Sequence, residues 1–137
     1  MFQLHPQLAK DSFPVTNLSL SRVILANDAR FPWIVLVPER EDLVDLHDMA
    51  HADYNTLARE IRSTSKAMAN LFSADKMNVA TLGNMVPQLH IHIIARYRND
   101  AAWPGPVWGK GTAELYEKSA AEKRISDIRE ALDSLNL

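Results

Sequence analysis

Seven residues, Gln88-Leu89-His90-Ile91-His92-Ile93-Ile94, constrain this chain more than any other segment. They alternate polar and apolar, and alternation of period two is the signature of a strand. Gln88, His90 and His92 then share one face, and Leu89, Ile91 and Ile93 share the other. An apolar strand face has to be buried against another layer. Two imidazoles side by side in an apolar strand serve stability less well than Val or Thr. Three readings follow: structural histidines with satisfied ring nitrogens, two ligands of a metal, or a nucleophile and its neighbour.

The rest of the chain supplies the other layers. Residues 1–14 read as a polar arm bracketed by Pro6 and Pro14. Leu18 to Ala26 has the apolar spacing of a strand, and Asn27-Asp28-Ala29-Arg30 has turn residues. Phe31 to Pro38 is a continuous apolar run closed by proline, which predicts a strand covered on both faces. The two strands make a hairpin. Glu39 to Asp48 has a short helical pattern. A longer helix follows, with Tyr54, Leu57, Ile61, Met68, Leu71 and Phe72 on its apolar face and Arg59, Glu60, Arg62 and Lys66 on the solvated one. Met77 to Leu82 predicts a strand, Gly83 to Pro87 a loop, and Gln88 to Tyr97 a second strand. Residues 99–111 are rich in Pro, Gly and Trp, and 112–135 predict a terminal helix. The order ββαββα over residues 1–137 predicts a single α+β domain, an antiparallel sheet with helices on one side.

Composition narrows the chemistry. With 47% hydrophobic residues the chain can fill a core and is not a disordered segment. The 15 Lys and Arg against 17 Asp and Glu leave a net charge of −2, without the basic excess that duplex nucleic acid demands. No apolar run approaches a membrane span, and residues 1–7 show no charged n-region or apolar h-region, so a cytoplasmic location is expected. There are no cysteines, which excludes disulfides, zinc–thiolate centres and Cys nucleophiles. The histidines left are His5, His47, His51, His90 and His92.

Of the three readings, a metal finds little support. No acidic residue follows His92 before Asp100, and no H-E-x-x-H helix is present. His47 and His51, four apart, read as ordinary helix histidines. A nucleophilic imidazole needs a neutral ring, its far nitrogen held by an acceptor, and a neighbour to assist the leaving group. His90 and His92 have the spacing for that pair. Phe31 and Trp33 read as core or as a base pocket, and Trp103 and Trp108 either cover a pocket or line a dimer seam.

The motif resembles that of the histidine triad family, His-φ-His-φ-His-φ-φ with φ apolar, with Gln88 in place of the first histidine. Asn78 on the preceding strand, Gly83-Asn84 where the family usually has Gly-Gln, Arg96 four residues past His92, and Trp103-Pro104-Gly105 extend the resemblance. So does Asn27-Asp28 followed by Val35-Leu36-Val37-Pro38, giving coverage of roughly residues 18–108. The resemblance implies a sheet with one long helix packed on it, and a hydrolase or transferase of nucleotides. His90 would attack the α-phosphate of a dinucleoside polyphosphate or nucleoside phosphoramidate, and His92 would contact the phosphate. Asn27 or Asp28 would meet the ribose, and Asn78, Gly83 and Asn84 would form the phosphate-side wall. No obligatory metal or cofactor is implied, although magnesium can accompany a polyphosphate; the partner is a small nucleotide, and the chain a homodimer. Two departures matter. Gln88 cannot exchange a proton, and Met85 stands where many members have Ser or Thr. A nucleotide-binding module with little turnover is therefore the alternative.

Overall fold

The computed structural model describes residues 1–137. The elements are α1 (Pro6–Lys10), β1 (Ser12–Asn17), β2 (Ser21–Ala26), β3 (Trp33–Pro38), α2 (His51–Phe72), β4 (Lys76–Ala80), β5 (Ile91–Arg96) and α3 (Lys118–Asp133), with a 3₁₀ turn at Leu46–Asp48. The strands form one sheet in the order β1-β2-β3-β5-β4. Every neighbouring pair is antiparallel. The fold is α+β, as the element pattern predicts, and the β2–β3 hairpin is present.

Alternation sorts the strand residues onto two faces. Val23, Leu25, Ile34, Leu36, Ile91 and Ile93 pack under Leu57 and Met68 of α2 and Ile128 and Leu132 of α3. The opposite face carries Ile24, Val35, Val37 and Trp33, against which Phe2, Leu4 and Leu8 lie. Further along it, Phe31 and Ile94 pack with Ala102, Val107 and Trp108. Coverage on both sides is why β3 and β5 have almost no polar positions apart from His92 and Arg96.

Several expectations need correction. The polar arm of residues 1–14 holds a short helix and the start of an edge strand. Pro14 lies within β1, where an edge strand tolerates a missing N–H, and the register shifts beside it. The strand expected from Gln88 begins only at Ile91. Leu89 N–H turns away from the sheet to donate to the Leu43 carbonyl. Glu60 is buried rather than solvated, since its Oε2 accepts the Leu20 N–H at 2.9 Å and the Ser19 hydroxyl at 3.2 Å, closing the β1–β2 turn. Tyr54 and Leu71 are exposed, outside the buried stripe Leu57, Glu60, Thr64, Met68. The terminal helix starts at Lys118, not 112, because the preceding backbone is used by the β2–β3 turn. Ala29 N–H donates to the Glu114 carbonyl at 2.6 Å.

Candidate active site

His92 lies on β5, and His90 lies just before it, where the chain leaves the sheet. Their rings remain neighbours despite the shortened strand, with centroids 5.0 Å apart. Both residues are buried, 5% and 8% exposed. The partners decide where the protons sit. His90 Nδ1 is 2.6 Å from the Gln88 carbonyl oxygen. A carbonyl only accepts, so Nδ1 carries the hydrogen and the neutral ring presents a lone pair at Nε2. His92 Nδ1 is 3.0 Å from the Trp33 indole nitrogen. An indole N–H only donates, so His92 accepts at Nδ1 and carries its hydrogen at Nε2. Burial, with the neighbouring His90 adding to it, pushes the His92 pKa down to about 4. Near neutral pH this imidazole is therefore an uncharged donor. The pair consists of one lone pair and one N–H, set by opposite hydrogen bonds.

Aromatic rings hold the pair in place. Trp108 lies edge-on to His92 at 5.0 Å and to Trp33 at 5.8 Å. The loop carrying Trp108 is anchored by Arg96, almost wholly buried at the end of β5. Its guanidinium grips Asp100 at 2.8 and 3.0 Å and reaches the Gly105 carbonyl at 2.8 Å. Burial alone would raise the Asp100 pKa. The Arg96 bonds and the Tyr97, Ala102 and Trp103 N–H groups outweigh it and hold the carboxyl well below the usual range.

A cavity of about 690 Å³ opens beside these rings. Its walls are His92, Trp33, Val35 and Trp108, the Asn27–Asp28 turn with Arg30, the glycine-bounded segment at Lys110, and Leu8, Lys10 and Asp11 from the N-terminal segment. Apolar surface, three cations and the two carboxylates of Asp11 and Asp28 line one space, a net charge of +1 that suits a ligand with a flat apolar part and an anionic part. Arg30 is engaged, bound to Asp28 at 2.8 and 2.9 Å. Burial would raise the Asp28 pKa, but the hydrogen bonds from Arg30 and Glu114 lower it.

His90 touches His92 and lies beside Gly83, and His92 in turn lines the cavity with Asn27 and Asp28, while His90 and Gly83 stand outside the lining. Gly83 has φ +72°, and a Cβ there would meet the Val86 carbonyl at 3.1 Å and the His90 ring at 3.7 Å. The bare backbone can thus approach the His90 ring. Asn27 and Asp28 both line the cavity, yet their side chains are partly spent on the chain's own backbone. Asn27 Oδ1 accepts from Tyr116 N–H at 3.0 Å, and Asp28 Oδ1 from Glu114 N–H at 3.3 Å. Four other residues are placed elsewhere. Asn78 Oδ1 accepts from Arg96 at 2.7 Å, so this side chain braces the arginine. Asn84 and Met85 are exposed, Met85 at 93%. Gln88 turns its amide to the N-terminal segment, accepting from His5 N–H at 2.9 Å and donating to the Gln3 carbonyl at 2.8 Å. His47 lies in the 3₁₀ turn and His51 opens α2, both exposed. Of the aromatics, Phe31 is core and Trp108 lines the cavity.

Sequence reasoning missed the Trp33 bond to His92, the Asp100 knot and the N-terminal wall. For Trp33 a signal existed: a half-buried indole N–H seeks an acceptor, and a strand histidine is a natural one. The wall had no local signal, because it depends on where the arm docks.

A family model described as the HIT domain matches residues 7–99. Residues 1–6, among them the Gln3 and His5 that Gln88 bonds, lie outside that span. A histidine triad protein from Marinobacter aquaeolei VT8 is 41% identical, with 98% of each chain covered and a TM-score of 0.95. One from Bradyrhizobium japonicum is 41% identical, covering 95% of this chain and 97% of that one, with a TM-score of 0.92. The diadenosine triphosphate hydrolase of Plasmodium falciparum, solved with Cyclomarin A, shares the fold at 19% identity, covering 100% of this chain and 86% of that one, with a TM-score of 0.63. No curated protein matches. The matched span runs through all five strands and both motif histidines, and the chain belongs to the HIT domain family.

Proposed function

We propose that the chain is a nucleotide hydrolase or nucleotidyl transferase working through a covalent intermediate on His90. The observation that carries this is the hydrogen bond of His90 Nδ1 to the Gln88 carbonyl, which leaves Nε2 as a lone pair beside the His92 N–H. In the first step Nε2 attacks the α-phosphorus of a nucleoside monophosphate conjugate. The N–P bond forms, and the bond to the leaving group breaks with its electron pair. In the second step water attacks phosphorus, the N–P bond breaks with its electron pair returning to Nε2, the water's proton passes to solvent, and the nucleoside monophosphate leaves with the neutral His90 ring restored. A transferase would use another acceptor in place of water. His92 Nε2–H donates to a phosphoryl oxygen as negative charge gathers there, and the Gly83–Asn84 backbone flanks it. Asn27 meets the ribose through its Nδ2 amide hydrogens and Asp28 through the lone pair that Arg30 leaves free on Oδ2.

Dinucleoside polyphosphates and nucleoside phosphoramidates are the substrate classes we assign, with magnesium arriving on a polyphosphate rather than residing in the protein. The hydrolase from Plasmodium falciparum supports a polyphosphate substrate by analogy of fold. A second reading, nucleotide binding with little turnover, is favoured by the Gln88 amide, which cannot relay a proton. Intact-protein mass spectrometry separates them. Brief incubation with each substrate class, quenched, should add one nucleotidyl mass to the parent and none to His90→Ala. Sustained release of nucleoside monophosphate supports the hydrolase; an adduct that persists without release supports the binding module. An adduct on the His90→Ala variant would overturn the assignment of the nucleophile.

A further inference from the structure

Gln88 has no proton to give, yet its backbone carbonyl and both polar atoms of its side chain are engaged. Its carbonyl orients His90, while its Oε1 accepts from His5 N–H and its Nε2 donates to the Gln3 carbonyl. The amide thus bonds a donor and an acceptor two residues apart on one stretch of backbone. The same stretch is seated on the sheet by Phe2, Leu4 and Leu8 over Ile24, Val35 and Val37. Directly after it, Leu8, Lys10 and Asp11 line the 690 Å³ cavity that His92 and Trp108 also line. One residue therefore ties the support of His90, through its backbone carbonyl, to the segment that leads into a wall of the pocket, through its side-chain amide.

We propose that Gln88 is a positioning residue that latches the N-terminal segment in place as a wall of the substrate pocket. Position 88 then governs how tightly the nucleotide is held rather than how a proton moves. The inference rests on the nucleotide reading of the cavity. Side-chain chemistry explains why glutamine stands there. Its oxygen and nitrogen diverge from one carbon, so a donor and a neighbouring acceptor are reached together. The two nitrogens of an imidazole point along widely separated directions and cannot do the same.

The test uses the full chain with Gln88→Ala and Gln88→Glu. The first removes both side-chain bonds and keeps the carbonyl that supports His90. The second is nearly isosteric, keeps the acceptor for His5 and sets an oxygen against the Gln3 carbonyl. Amide exchange by NMR should quicken about tenfold at His5 in Gln88→Ala, the size expected for a lost hydrogen bond, while the β5 amides stay protected. Affinity for adenosine 5′-monophosphate, read from tryptophan fluorescence, should fall about tenfold in the same variant, and also fall in Gln88→Glu. KM for a dinucleoside polyphosphate should rise more than kcat falls. Unchanged exchange at His5 would overturn the latch. Faster exchange with unchanged affinity would overturn the wall, and a fall in kcat at constant KM would make Gln88 a catalytic residue instead. A parent protein that binds no nucleotide would overturn the reading beneath this one; a parent and variant that bind equally overturn this inference alone.

Discussion

At the scale of single residues, the site depends on which nitrogen of each histidine holds its hydrogen. The sequence suggests His92 as an acid–base partner of His90. The Trp33 bond and the low His92 pKa give it another part, that of a fixed neutral donor. His92→Ala should therefore lose roughly 10²–10³-fold in kcat, the range for removing one donor to a developing oxyanion. Trp33→Phe keeps the ring but removes the indole N–H, freeing His92 to take either tautomer. Its kcat should fall about tenfold, and the acid limb of its pH–rate profile should move to higher pH. An unmoved acid limb would show that Trp33 acts by packing alone. Neither the Gln88 amide nor a neutral imidazole N–H hands over a proton readily. Substrates whose leaving group departs as a stable anion should accordingly turn over faster than alkyl phosphoramidates.

At the scale of elements, β5 carries core residues on one face and His92 on the other, and the segment after it depends on one buried ion pair. Arg96 is held by Asp100, Asn78 and the Gly105 carbonyl, with Phe31 and Trp103 against its charged plane at 5.6 and 5.8 Å. Asp100→Asn leaves that guanidinium buried without its counter-charge. Loss of one partner of a buried pair costs about 3–5 kcal/mol, and a urea titration should show it as a lower midpoint. Because the loop that the knot secures brings Trp108 against His92, nucleotide affinity should drop in the same variant even where it remains folded. Unaltered stability would mean that the backbone donors, not the ion pair, hold this loop.

For the molecule as a whole, the burial of His92 makes folding sensitive to acid. Its folded pKa of about 4 lies below the ordinary value of 6.5. The unfolded chain then binds more protons than the native one between those values, so stability rises with pH across that window. The contribution is fully present above pH 6.5 and declines as pH falls toward 4, by at most about 3 kcal/mol. Chemical denaturation of the parent and of His92→Asn at several pH values should show a shallower dependence in the variant over this window. Parallel curves would mean that His92 titrates alike in the folded and unfolded chain.

The alternation at 88–94, the apolar run at 31–38 and the stripe around Leu57 and Met68 determined by themselves that this chain makes an antiparallel sheet backed by helices. These signals are legible because side-chain periodicity is set by local backbone geometry and one face must leave water. The pairing of His90 with His92 was legible for the same reason, since two residues along an extended chain return to the same side. What the side chains do there was decided by the tertiary structure. The proton positions depend on Trp33, 59 residues from His92. The duties of Gln88, Asn78 and Glu60 depend on partners 85, 18 and 40 residues away. A hydrogen bond between distant segments leaves no period in the sequence; it exists only once hydrophobic burial has brought the two stretches together, and then each buried polar group must find its partner.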